Sequence, residues 1–102
     1  MKIYQGSTYK LPIKIKRGGK IITDADVKKV ELAIGGVIKT YPDDATFEGE
    51  QFIFPLSQED TFKMTAKGSA QYQARVVFND DSVKPTEVKS LGVIASISKE
   101  VL

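Results

Sequence analysis

The chain has 102 residues, of which 41% are apolar and 27% are charged, and its formal net charge at pH 7 is +2. This length and composition suit one globular domain with a single core, so we assign residues 1–102 to one domain. The sequence contains no histidine and no cysteine, which excludes a Ser-His-Asp triad, a thiolate nucleophile, a disulfide and a structural zinc site.

The basic residues are concentrated at the N-terminus. The first twenty residues contain no acidic residue but include Lys2, Lys10, Lys14, Lys16, Arg17 and Lys20. Such a stretch could attract an acidic partner or a phosphate. Lysines on an exposed edge strand also prevent aggregation between sheet edges, and we favour this second interpretation. No signal-peptide pattern is present, and the longest apolar run, residues 32–38, is too short to span a membrane.

The first strand is predicted by alternation between residues 9 and 15. Apolar side chains occupy the odd positions and lysines most of the even ones. Pro12 cannot donate a backbone hydrogen bond, so we expect this strand at a sheet edge. The Gly18-Gly19 pair suits a two-residue hairpin turn, which would place Ile15 opposite Ile22.

A second glycine pair, Gly35-Gly36, predicts another hairpin. Its two-residue loop would give the pairs Ile34–Val37, Val30–Tyr41 and Leu32–Lys39. The last pair sets a lysine against an apolar residue, so the pattern alone leaves this register open. Residues 23–26 predict a bend, and Pro42-Asp43-Asp44 predicts a turn.

Two short strands should follow, one beginning at Phe47 and one containing Phe52, Phe54 and Leu56. Ser57 then predicts a helix start, because its side chain can cap the amide three residues on. Glu59 and Asp60 lie in the first turn, where carboxylates are favourable. We therefore expect one short helical turn near residues 57–65, on the surface and ending by Gly68.

The longest predicted strand has two distinct faces. Its inward residues are Ala70, Tyr72, Ala74, Val76 and Phe78, and its outward residues include Gln71, Gln73 and Arg75. An Asp80-Asp81 loop would set Phe78 opposite Val83. The last strand should run from residue 88 to 97, with Leu91, Val93, Ala95 and Ile97 inward. Seven to eight short strands in all predict an all-β, immunoglobulin-like β-sandwich.

Residues 68–74, Gly-Ser-Ala-Gln-Tyr-Gln-Ala, resemble the immunoglobulin pattern known as the tyrosine corner. The resemblance implies that the Tyr72 hydroxyl bonds to upstream backbone. The alternative is that Tyr72 is one more core aromatic, and the pattern alone does not decide between the two. Gly68 stands where that pattern has an acid and Ala74 where it has cysteine, and the chain has no tryptophan. An antibody-type domain is therefore excluded.

A second resemblance covers nearly the whole chain, through residues 5–13 (Gln-Gly-Ser-Thr-Tyr-Lys-Leu-Pro-Ile), 55–62 (Pro-Leu-Ser-Gln-Glu-Asp-Thr-Phe) and 71–76 (Gln-Tyr-Gln-Ala-Arg-Val). In order and spacing these segments resemble the N-terminal immunoglobulin-like domain of upper baseplate proteins of phages that infect Gram-positive bacteria. The resemblance implies a virion structural protein of a phage or prophage tail, made in the bacterial cytoplasm. Such a domain attaches peripheral or receptor-binding components to the tail through protein contacts.

Those relatives usually continue into a trimerising region, so we expect this chain to be either a fragment or a short stand-alone form. The expected partners are other tail or baseplate proteins, and a homo-oligomer is left open. We expect no cofactor, no metal, no nucleic acid and no membrane partner. Gln71, Gln73 and Arg75 are the candidate partner-binding residues, because a row of amides with one arginine suits a polar, specific contact. The simpler alternative is an ordinary solvated sheet face.

The sequence leaves two other classes of function to consider. A bacterial surface adhesion or carbohydrate-binding module could use Tyr4, Tyr9 and Tyr41 as aromatic faces for sugars. An enzyme would need paired carboxylates or a lysine nucleophile. The Asp43-Asp44 pair is better suited to a turn than to a catalytic dyad, because adjacent strand residues point to opposite faces. We therefore expect a binding protein and not an enzyme.

Overall fold

The computed structural model describes residues 2–64 and 69–102, and eleven strands lie in this part of the chain. They are Lys2–Tyr4 (β1), Tyr9–Ile13 (β2), Lys16–Arg17 (β3), Lys20–Ile21 (β4), Val27–Ile34 (β5), Val37–Tyr41 (β6), Thr46–Glu48 (β7), Gln51–Leu56 (β8), Ser69–Phe78 (β9), Val83–Pro85 (β10) and Lys89–Ile94 (β11). One helix, Gln58–Phe62 (α1), and one 3-10 turn, Asp24–Asp26, accompany them.

The strands form a large sheet, a small sheet and a two-stranded ribbon. The large sheet has the order β1-β11-β9-β5-β6, and β10 also pairs with β9. The small sheet has the order β2-β8-β7, and β3 pairs with β4. Every pairing is antiparallel except the parallel pair β1–β11. The predicted all-β fold is confirmed, and the strand count exceeds the prediction because several strands have only two or three residues.

The core lies between the inner faces of the large and small sheets. Leu11, Phe52 and Phe54 of the small sheet and Val30 and Leu32 of the large sheet are fully buried. All belong to one hydrophobic cluster, so the two sheets share a single core in the manner of a sandwich.

The β5–β6 hairpin has the register that Gly35-Gly36 predicts. The cross-strand pairs include Ile34–Val37, Leu32–Lys39 and Val30–Tyr41. The lysine on the inner face is accommodated because its Nζ lies 3.0 Å from Oδ2 of Asp60 in α1. The first hairpin also agrees with its prediction, since the Ile22 amide donates to the Ile15 carbonyl over 2.8 Å.

The loop between β9 and β10 differs from its prediction by one residue. Val83 lies opposite Val77 and not opposite Phe78, and the loop has three residues, 79–81. Asp81 adopts a positive φ of 69°, which lets the longer loop close. A shift of one residue reverses the faces of a strand, so Val83 is exposed on the outer side of the sheet.

The last strand is shorter than predicted. Leu91 and Val93 are buried as expected, but β11 ends at Ile94, and Ala95 and Ile97 are exposed. The parallel partner strand β1 ends at Tyr4, which pairs with Ile94. The next amide, that of Gln5, donates to the Ile94 carbonyl. After that bond, no strand of the described residues lies beside residues 95–97 on the β1 side, and the inward alternation stops.

The predicted edge position of β2 is confirmed, because within the described residues this strand pairs only with β8. Pro12 is exposed there. The strand ends at Ile13, two residues before the predicted end. Strand β1 was not predicted, although Ile3 is buried against the core. A three-residue strand carries too little alternation to be recognised from sequence.

Helix α1 begins with the predicted Ser57 cap. The Ser57 side chain accepts from the Asp60 amide over 3.1 Å, and Asp60 Oδ2 accepts from the Ser57 amide over 2.8 Å. This reciprocal pair is a capping box. The prediction of a surface turn is wrong for Asp60, which is 7% exposed. Residues 65–68, including Gly68, lie outside the described residues.

The N-terminal turn packs on α1. The Gly6 amide donates to Thr61 Oγ1 over 2.9 Å, and that hydroxyl donates to the Ser7 carbonyl over 2.8 Å. Gly6 has a φ of +80°, and a Cβ added there would lie 2.6 Å from the Phe62 ring. Glycine is therefore required by both backbone conformation and space.

We predict that Gly6→Ala lowers the free energy of unfolding more than Gly36→Ala does. Gly36 has a similar φ of +84° but open space around it. The control should cost about 1–2 kcal/mol for its left-handed backbone, and Gly6→Ala about 1–3 kcal/mol more for the clash. Urea unfolding measures both. If the steric reason is correct, Phe62→Ala removes the difference between the two variants.

We predict that Asp60→Asn lowers the free energy of unfolding at pH 7 by about 1–3 kcal/mol. Burial alone would raise the pKa of Asp60, but the Ser57 amide and hydroxyl and Lys39 together hold this pKa below its ordinary value of 3.8. The stabilisation is therefore complete above about pH 4 and is lost as the pH falls through the folded pKa.

Urea unfolding of both proteins between pH 7 and pH 2 tests this. The difference between wild type and Asp60→Asn should narrow below pH 3.8. Glu59→Gln is the matched control, because Glu59 is exposed on the same helix turn, and it should leave stability nearly unchanged. If the difference in free energy of unfolding between wild type and Asp60→Asn stays constant with pH, the ionised Asp60 carboxylate is not the source of the stabilisation.

Candidate functional site

The predicted binding residues lie on the outer face of the large sheet, the face turned away from the core. Gln73 is in one cross-strand row with Ala33 and Ile38. Arg75 is in the next row, with Glu31 and Thr40 on one side and Pro85 on the other. Gln71 pairs with Ser90 of β11. The three residues therefore share one continuous surface, which we call the outer face.

Two of these three residues are engaged within the chain. Gln73 Nε2 donates to the Thr86 carbonyl over 2.8 Å. Arg75 donates through Nε and Nη2 to Glu31 Oε1, over 2.9 and 2.7 Å. Gln71 is exposed, and its side chain has no hydrogen-bond partner among residues 2–64 and 69–102. Of the three, Gln71 is thus the side chain most available to a partner.

Large apolar side chains are also exposed on the outer face. Ile38, in the row of Gln73, is 63% exposed, and Val83, opposite Val77, is 52% exposed. Tyr4 of β1 is exposed at the edge of the same sheet. Sequence reasoning missed Ile38 and Val83 as surface residues. For Val83 the reason was the one-residue error in the β9–β10 loop.

Thr86 holds the segment after β10 against β9. Its amide donates to the Ala74 carbonyl over 2.8 Å, and its hydroxyl accepts from the Ala74 amide over 3.0 Å. Together with the bond from Gln73, these contacts fix the position of residues 84–89. They also place Lys84 and Lys89 across from the basic N-terminal segment.

Those two lysines form one side of a cleft of about 730 Å³. Lys14, Lys16 and Arg17 form the opposite side. The volume is within the usual range for binding clefts. Sequence reasoning identified the N-terminal cations as a charged stretch but could not find the cleft, because Lys84 and Lys89 join them only in the folded chain.

The tyrosine-corner bond is not found in the described part of the chain. The Tyr72 hydroxyl has no hydrogen-bond partner among the described residues, and the ring packs against the core. The three tyrosines considered for sugar binding do not form one platform. Tyr9 and Tyr41 pack against the core, and the Tyr41 ring meets Phe52 edge-on at 5.0 Å. Tyr4 is exposed on β1, which lies at the opposite edge of the large sheet from the strand of Tyr41.

The paired acidic residues have structural roles in turns, as predicted. Asp44 Oδ2 accepts from the Thr40 amide over 3.1 Å. Asp80 Oδ1 accepts from the Ser82 hydroxyl over 2.6 Å and from its amide over 3.0 Å. These bonds hold the pKa of Asp80 below its ordinary value. In the described ranges no three acidic residues are grouped as metal ligands.

No helix within residues 2–64 and 69–102 is long and apolar enough to cross a membrane. The chain was also compared with known proteins. No protein-family model, no curated protein and no solved structure matches it.

We predict different consequences for the two glutamines of the outer face. Gln73→Ala should lower the free energy of unfolding by about 1 kcal/mol, because the Thr86 carbonyl loses its donor. Gln71→Ala is the matched control on the same strand and should change stability little. Urea unfolding at pH 7 measures both. Equal effects of the two substitutions would show that the Gln73–Thr86 bond contributes no stability.

Proposed function

We propose that this chain is a virion structural domain of a phage or prophage tail, which attaches peripheral or receptor-binding components by protein–protein contacts. The proposal starts from the resemblance of residues 5–13, 55–62 and 71–76 to baseplate domains. Its partners would be other tail or baseplate proteins, and its location would be the virion. Binding, and not catalysis, is the proposed mode of action.

The observation that carries the proposal is the composition of the outer face. It combines the exposed polar side chain of Gln71, which has no hydrogen-bond partner among the described residues, with the exposed apolar side chains Ile38 and Val83. Protein interfaces typically combine an apolar centre with polar groups that give specificity. The Arg75–Glu31 pair lies between these residues and would limit which partner surfaces fit, because a partner must match its charges.

The alternative, a surface adhesion or carbohydrate-binding module, draws less support from the geometry. Sugar sites commonly present an exposed aromatic ring, and here Tyr9 and Tyr41 pack against the core while Tyr4 stands apart. The hydrogen bonds of the carboxylates also favour a binding function over catalysis, because they give these groups structural roles. Asp44, Asp60 and Asp80 are each engaged in caps or turns.

We expect antibodies against the chain to label the tails of phage particles purified from the strain that encodes it. Immunoelectron microscopy locates the label, and antibodies absorbed with the pure protein give the background. Label confined to the cell wall, with none on particles, would overturn the proposal and favour the adhesion module.

The outer face is tested by the double variant Ile38→Lys, Val83→Lys. It should reduce incorporation into particles by about tenfold, because both apolar contacts would be replaced by charges. Ile97→Lys is the matched control, because Ile97 is equally apolar and fully exposed but lies outside the sheet. Quantitative immunoblotting of purified particles measures incorporation. Equal loss in both variants would exclude the outer face as the attachment surface.

A further inference from the structure

The cleft between residues 14–17 and 84–89 carries an excess of positive charge. Its walls include the cations Lys14, Lys16, Arg17, Lys84 and Lys89. Glu87 is the only acidic residue among the lining residues. All five cations are exposed, and within the described ranges none forms an ion pair with a carboxylate of the chain.

This lack of partners is not general in the protein. Lys28 pairs with Asp81, Lys39 with Asp60 and Arg75 with Glu31. The cations of the cleft are concentrated where carboxylates are scarce. Arg17 lies 4.6 Å above the Phe78 ring and helps to hold the pKa of Asp80 low, yet it forms no direct salt bridge. The mutual repulsion of the cleft cations makes a negatively charged occupant favourable.

The bottom of the cleft is apolar. Ile15, Val76, Phe78 and Pro85 contribute to its lining, and three of them belong to or border the hydrophobic core. A bare phosphate or a metal-bound anion would leave this surface unused. An occupant that fits both parts of the cleft needs carboxylates for the walls and apolar side chains for the bottom.

The edge of β2 indicates the conformation of that occupant. A space of only about 50 Å³, lined by Pro12, Ile13 and Lys14 on one side and by Thr86 and Lys89 on the other, adjoins the cleft at this edge. Pro12 pairs with Ile53 and Lys10 with Pro55. Prolines have no N–H, so these are the pairs without hydrogen bonds between β2 and β8.

The N–H and carbonyl groups of Lys10 and the carbonyl group of Pro12 therefore point away from β8. None of these groups has another backbone hydrogen bond among the described residues. An extended segment could add to this edge. In such a segment alternate side chains point to opposite sides. One row would reach the apolar bottom, and the other would reach the lysines.

We propose that this cleft binds an extended, acidic segment of a partner protein, in which acidic and apolar residues alternate. Nucleic acid fits less well, because single strands bind through aromatic platforms for their bases. The Phe78 ring in the lining of the large cleft is buried and covered by Arg17, and the Tyr72 ring beside the smaller space packs against the core. Of the residues that line the cleft, Pro85 also lies in a row of the outer face. The peptide assay uses the pure protein and no phage particles, so failure of this proposal is distinguishable from failure of the tail function.

The probe is a fluorescein-labelled peptide of about eight residues that alternates glutamate and valine, long enough to follow the cleft as a strand. Fluorescence anisotropy at low salt measures its affinity for the full chain. Three unlabelled competitors accompany it: a glutamate–serine peptide, a lysine–valine peptide and an oligothymidine of the same length. We expect the labelled peptide to be displaced well only by its own unlabelled form.

The charge requirement is tested by the double variant Lys84→Glu, Lys89→Glu. It should weaken binding of the glutamate–valine peptide by about tenfold, since it reverses two of the cations that attract the peptide. The matched control is Lys2→Glu, Lys63→Glu, which makes the same change of charge at exposed lysines outside the cleft and away from the β2 edge. Circular dichroism checks that both variants are folded.

Amide chemical shifts of the unmodified protein locate the site without any variant. On adding the peptide, the amide chemical shifts of residues 14–17 and 84–89 should change, and those of Lys29, Glu31 and Ala33, whose side chains lie on the outer face, should not. The proposal is overturned if the peptide does not bind, if both double variants weaken binding equally, or if the shifts map elsewhere. It is also overturned if oligothymidine displaces the peptide as well as the unlabelled peptide does, because the cleft would then attract any polyanion.

Discussion

After β8 the chain leaves the small sheet and forms helix α1 before it enters the large sheet. The contacts of α1 hold the end of β8, strand β6 and the N-terminal turn together. Asp60 is central to them, because its carboxylate accepts from the Ser57 amide and lies 3.0 Å from Lys39 Nζ. A carboxylate so deeply buried is tolerable only when it is bonded on more than one side. One residue thus joins the end of β8, the start of the helix and the inner face of β6.

The next residue, Thr61, connects helix α1 to the N-terminal turn. Thr61 bonds to Gly6 and Ser7, and Gln5 Nε2 donates to the Met64 carbonyl over 2.8 Å. Because residues 2–7 are held in this way, β1 is positioned to pair with β11. The edge of the large sheet therefore depends on a five-residue helix that belongs to neither sheet.

The sequence predicts most of the central architecture, and its failures have local causes. The β5–β6 register followed from the Gly35-Gly36 loop even though it set Lys39 against Leu32, and only the folded position of Asp60 explains that pair. The β9–β10 register failed because Asp81 took a left-handed conformation that is uncommon outside glycine. The inward assignment of Ile97 failed because alternation continues in the sequence after the neighbouring strand has ended.

The surfaces were predicted less completely than the core. The face of Gln71, Gln73 and Arg75 follows from alternation, but the intramolecular bonds of Gln73 and Arg75 depend on Thr86 and Glu31, which are distant or unremarkable in sequence. The cleft could not be found at all, since its two walls are about seventy residues apart and meet only through the fold.

The parallel pair β1–β11 joins still more distant residues, Lys2 and Gly92 among them. During vectorial synthesis on the ribosome, β1 emerges well before β11 and has no strand to pair with until residues 92–94 have left the exit tunnel. This edge of the large sheet must then form late, by closure of a loop of about ninety residues, and contacts so distant in sequence form slowly.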